Sequence, residues 1–157
     1  MTNSTLQKQL FQIGAAFAGL AVVAGAFGSH AIKEELDSAN YDIFQTAVTY
    51  QFYHAFALFA IGLGMRRIKE NVAKVALTLF VLGIIFFSGS LYLLSTSTIW
   101  ASGRLDWFGM IAPVGGASFV AGWVYLALKG YKPSESSNSA KKVQEMQRRK
   151  SPTFEDK

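Results

Sequence analysis

Two short stretches of this chain carry side chains able to do chemistry inside otherwise apolar surroundings. In TAVTYQFYHAFALF, residues 46–59, Tyr50, Gln51 and His54 fall together. In GIIFFSGSLYLL, Ser88, Ser90 and Tyr92 do. An imidazole among hydroxyls has three uses. It can join helices by accepting one hydrogen bond and donating another. It can relay a proton, because its reference pKa is about 6.5. It can bind a metal or haem. No carboxylate lies in the apolar runs to hold an imidazolium, which puts structural bonding first, solute or proton handling second and ligation third.

Ligation also fails on spacing. The one other histidine, His30, closes an earlier apolar run in GSHAIK. On helical rise it lies roughly 10–16 Å from His54 along the membrane normal, so the two cannot hold one haem. With Glu34 and Asp42, His30 forms a second candidate, an outer-end ion or substrate site. A helix-capping surface histidine is the commoner role for such a residue. A Ser88–His54 pair would resemble a nucleophile and its base, but no third group orients the imidazole. The chain has no glycine-rich phosphate loop, nucleophile elbow or metalloprotease His–Glu pair. No catalytic residue, metal or cofactor is expected, and the protein is not expected to be an enzyme.

The elements that position these residues are membrane helices. Of the 157 residues, 51% are hydrophobic and only 16% charged. About 20 apolar residues cross a bilayer, and four runs qualify: 10–31, 43–65, 75–100 and 107–128. Helix is required, because backbone groups left unpaired in lipid cost several kcal/mol each. The fold class is therefore an all-α membrane protein, four transmembrane helices in an antiparallel bundle. Residues 1–9 form a short N-terminus, 10–129 the membrane domain and 130–157 a flexible, basic tail. Absence of cysteine excludes disulfides and thiolate metal sites.

Charge gives the direction. Four spans place 13 Lys and Arg on the side of the termini and two, Lys33 and Arg104, on the other, so both termini are expected in the cytoplasm. Lys8, the first apolar run and Ala24-Gly25-Ala26 resemble a cleavable signal peptide. The run extends to Ile32, past that site, and an even span count fits the charge split uncleaved. The +5 net charge follows this topology, and no nucleic-acid partner is expected. The tail cations suit anionic lipid.

Small residues at three- and four-residue spacing on the first, third and fourth runs indicate close helix packing. Pro113, in the fourth run, is expected to kink its helix.

GAFGSHAIK, DIFQTAVTYQFYHAFALF, GIIFFSGSLYLL and GMIAPVGGASFVAGW, in this order, resemble the domain of unknown function 423 family of YgdD-like small four-helix inner-membrane proteins. The resemblance covers about residues 10–129. It implies a multi-pass protein of the bacterial inner membrane and no particular activity. Characteristic positions fall here on Gly25, Gly28, His30, Thr46, Tyr50, Gln51, His54, Ser88, Gly89, Ser90, Tyr92, Pro113, Gly115, Gly116 and Gly122. The tight bundle and the lack of reactive groups point to a non-catalytic accessory or structural subunit, with the bilayer and other subunits as partners. The alternative is a small-solute or proton carrier or sensor built on a cleft around His54.

Overall fold

The computed structural model describes residues 3–101, 105–131 and 135–150, so Arg104, Lys132 and residues 151–157 lie outside it. Helix α1, Asn3–Phe27, runs on into a π-helical turn, Gly28–Ile32. Helix α2 is Ser38–Leu63. Asp37 caps it by accepting from the Asn40 backbone N–H at 2.8 Å, which satisfies one of the orphan donors of the first turn. Helix α3, Glu70–Gly83, passes through a second π-helical turn, Ile84–Ser88, into helix α4, Gly89–Trp100. A 3-10 segment, Asp106–Met110, precedes helix α5, Ala112–Lys129. Helix α6 is Glu135–Lys150. No strand occurs among the described residues.

Four rods therefore pack side by side: α1, α2, the α3–α4 rod and α5. α1 lies along α2, and α3 along α5. Two contacts fix the antiparallel sense. The Gln7 amide near the start of α1 donates to the Gly62 carbonyl near the end of α2 at 3.0 Å. Past the end of α5, Tyr131 bridges Ile68 just ahead of α3, and Lys69 N–H donates to Gly130 O at 3.1 Å. Lys8, Arg66, Arg67, Lys69, Lys74 and Lys129 thus gather at one end of the bundle. Lys33, Glu34, Glu35 and Asp42 stand at the other.

Among the described residues, three rods are long and apolar enough to cross a membrane: Ser4–Ile32, Glu70–Trp100 and Asp106–Lys129. α2 has the length, about 39 Å for its 26 residues. Tyr50, Gln51, Tyr53 and His54 make it less apolar than the other three.

The core sits toward the cation-rich end. Leu6, Leu10, Leu58, Ile61, Ala73, Ala76 and Phe80 are all buried in one cluster. Along the α3–α5 seam, glycines on one helix receive rings or backbone from another. A Cβ at Gly122 would lie 2.6 Å from the Phe80 ring, one at Gly83 would collide with the Phe119 ring, and one at Gly115 with the backbone of Phe87. This is the close approach that small residues permit between membrane helices.

One expectation changes. Pro113 falls in the first turn of α5, where its N–H would have no intrahelical acceptor anyway, so it begins the helix and kinks nothing. The N-terminal stretch is helical from Asn3, with Leu6 fully buried. The tail contains α6, whose good helix formers are aided by an Arg149–Glu145 pair at 3.5 Å.

Candidate polar site within the helices

His54 stands where α2, α3 and α5 meet. It lies about 24 Å along α2 from Ser38. Its Nδ1 is 2.8 Å from the Tyr50 carbonyl, one turn back on the same helix. The Trp123 indole N–H of α5 donates to its Nε2 at 3.2 Å. An indole N–H only donates and a carbonyl only accepts. These two partners therefore fit one species: neutral imidazole with its hydrogen on Nδ1.

Aromatic rings enclose it. Phe119 stacks on the imidazole with centroids 3.4 Å apart and planes 12° apart. Phe80 meets it edge-on at 5.3 Å. Tyr50 packs beside the group, 4.7 Å from the Phe87 ring. The glycine holes position this box, since Gly83 accommodates Phe119 and Gly122 accommodates Phe80.

The polar set predicted as one cleft is thus divided. Gln51, buried, donates its amide to the Phe17 carbonyl of α1 at 2.8 Å. Ser90 bonds back to the Phe87 carbonyl of its own turn at 3.0 Å. Ser88 is fully buried in the second π-helical turn, and its hydroxyl has no hydrogen-bond partner. The Tyr92 hydroxyl is also buried and unpartnered. Ser88 and His54 do not pair, because Trp123 occupies the imidazole nitrogen that a serine would need.

At the far end, His30, Glu34 and Asp42 are exposed. No hydrogen bond or ion pair joins them, and no group of three His, Cys, Asp or Glu suited to a metal ion occurs among the described residues.

Trp123 is the residue that sequence reasoning missed. Its signal was available: Trp100 and Trp107 sit at helix ends, whereas Trp123 lies within α5, where an indole N–H needs an acceptor.

Comparison with known proteins gives the family. The sequence profile of a family described as protein of unknown function (DUF423) matches residues 24–116. The chain is 40% identical over 125 residues to a UPF0382 membrane protein of Staphylococcus saprophyticus, covering 80% of this chain and 98% of that one. It is 33% identical over 127 residues to the UPF0382 membrane protein YwdK of Bacillus subtilis, covering 80% and 98%. It is 34% identical over 122 residues to the UPF0382 inner membrane protein YgdD of Escherichia coli K12, covering 77% and 88%. No solved structure matches the chain.

Proposed function

Because the chain belongs to the family of proteins of unknown function DUF423, whose relatives are named as membrane proteins and no more, we propose that it is a non-catalytic accessory or structural subunit of a larger complex in the bacterial inner membrane. It spans the membrane four times with both termini in the cytoplasm. The observation that carries this reading is the engagement of both His54 nitrogens, by Tyr50 and Trp123. The buried histidine is spent on joining α2 to α5. A proton relay or a ligand would need one of those nitrogens free.

Other polar groups support the same reading. Gln7 and Gln51 clamp α1 to α2 at two levels. Most serine and threonine hydroxyls with a partner bond a carbonyl one turn back on their own helix. What remains for interaction is outer surface: Leu20, Val23 and Phe27 on α1 and Val114, Val120 and Val124 on α5 are exposed. Lipid and the helices of a partner are the groups that such a surface meets. Exposed cations of α6, Lys142, Arg148 and Arg149, suit anionic lipid at about 1 kcal/mol each.

Native mass spectrometry of the chain, extracted from its own membrane in mild detergent, tests the reading. A stoichiometric complex with other polypeptides is expected. Recovery as a lone monomer or homo-oligomer would overturn it.

A further inference from the structure

At the cation-rich end, a pocket of about 450 Å³ opens between the start of α3 and the end of α5. Its volume falls in the range of small-molecule sites. Lys69, Glu70, Asn71 and Val72 line it from one helix, Tyr125 and Lys129 from the other. Backbone holds its two walls together. The Lys69 N–H donates to Gly130 O at 3.1 Å, and Ile68 bridges Tyr131. Lys69 and Lys129 are therefore kept at one opening whatever their side chains do. Glu70 is the one carboxylate of the lining, and its charge is answered by Lys74 Nζ at 2.7 Å. Among the described residues, no ion pair engages Lys69 or Lys129. The pocket thus offers two ammonium groups without a carboxylate partner, with the Asn71 amide and the Tyr125 phenol beside them. Ammonium groups are phosphate binders, and an amide and a phenol both donate to and accept from hydroxyls.

The order of side chains along the two helices selects the occupant. Lys69 and Lys129 stand at the rim, and Tyr125 lies one turn inward of Lys129, at the level where tyrosines gather in a membrane interface. Further in, Val75 and Leu82 on α3 and Val124 on α5 are exposed and apolar. Cations, then a phenol, then apolar surface match the phosphate, glycerol and acyl chains of a phospholipid in turn. A free phosphate would use only the rim. A headgroup that carries its own ammonium would set that charge against the two lysines, whereas basic pockets between membrane helices suit anionic headgroups. We infer that this pocket binds the headgroup of an anionic, glycerol-bearing phospholipid, with its phosphate at Lys69 and Lys129 and its acyl chains along the exposed faces of α3 and α5.

The inference needs this end of the bundle to meet a membrane interface and does not depend on a partner complex. The test titrates dioleoylphosphatidylglycerol, and separately dioleoylphosphatidylethanolamine, into the purified full chain in a neutral detergent, with bound lipid counted by native mass spectrometry. One phosphatidylglycerol per chain is expected at concentrations where phosphatidylethanolamine does not bind. Lys69→Gln with Lys129→Gln should weaken that binding about thirtyfold, the scale of two lysines at an anionic lipid surface, and Lys129→Gln alone about fivefold. Both side chains are exposed, and the Lys69 backbone bond survives the change, so melting without lipid should be unaltered. Arg66→Gln with Arg67→Gln removes the same charge outside the lining and should leave binding nearly unchanged. Equal weakening by the two double variants would overturn the inference, by assigning the lipid to a diffuse belt of cations. Equal binding of the two lipids would overturn it too. Displacement of the lipid by millimolar inorganic phosphate would overturn it as well, by assigning the pocket to free phosphate.

Discussion

The Trp123 indole donates to His54 Nε2 across 3.2 Å, and this bond ties α5 to α2 at a site roughly midway through the bundle. Phe119, one turn before Trp123, stacks on the same imidazole. Hydrogen bonds between membrane helices average about 0.6 kcal/mol, with a maximum near 1.7. Trp123→Phe should therefore destabilise the protein by about 0.6–1.7 kcal/mol in reversible unfolding from mixed micelles. His54→Phe should add little further loss from this bond, so a double-mutant cycle should report coupling of the same size. Strict additivity would mean that the bond contributes nothing.

The glycines divide sharply by what faces them. A Cβ at Gly115 would run into the backbone of Phe87, which cannot move without separating α5 from the α3–α4 rod. One at Gly19 meets nothing within 4 Å. Gly115→Ala should cost at least about 1–3 kcal/mol, as overpacking does, and Gly19→Ala should be neutral or stabilise by up to about 1 kcal/mol through helix propensity. Melting temperatures in one detergent compare them directly. Equal shifts for both would refute the packing described for α5.

Much of this was legible in the residues. Apolar run length predicts the rods, and helical spacing puts Ala47, Tyr50 or Gln51, His54, Ala57 or Leu58 and Ile61 on one face of α2; all of these are buried except Tyr50, which is exposed. Small-residue spacing predicts close approach but not what approaches. At Gly83, Gly122 and Gly28 it is an aromatic ring, at Gly115 a backbone. The partner of His54 was not legible, because a donor on α5 meets α2 only through the three-dimensional packing of Phe80 and Phe119. Ser88, expected at the same depth, is buried with no hydrogen-bond partner. The two π-helical turns leave no trace in periodicity, since one extra residue in a turn shifts the apolar pattern by less than its own irregularity. The fourth apolar run starts at Trp107 and so places Pro113 in its interior, whereas the α-helix begins at Ala112.

Orientation can be read with single cysteines, since the chain has none of its own. Lys69 and the residues at the end of α5 share one end of the bundle through the Lys69–Gly130 bond. Lys69→Cys and Tyr131→Cys should react only with thiol reagents that enter the cytoplasm. Glu34→Cys, at the opposite end, should react with an impermeant reagent added outside. Labelling of all three from one side would contradict the four-span topology.

Glu70 opens α3 with its carboxylate 2.7 Å from Lys74 Nζ. The hydrogen bond from Lys74 holds the Glu70 pKa below the ordinary carboxylate value. A depressed pKa in the folded state adds stability above the unfolded value, and that contribution disappears as pH falls through the folded one. The pair is exposed, so the effect is small. Wild type and Glu70→Gln should differ slightly at neutral pH and converge as pH falls below the ordinary carboxylate range. Divergence in acid would reverse the assigned sign.

The most direct test of the account is nitrogen NMR of His54 in the lipid-embedded protein, with His30→Gln leaving a single imidazole. The expected result is a neutral ring with its hydrogen on Nδ1 and with Nε2 as an acceptor that loses its hydrogen bond in Trp123→Phe. An Nε2–H tautomer, an imidazolium, or spectra unaltered by Trp123→Phe would contradict a structural His54. Any of these would return the residue to the chemistry of a carrier or relay.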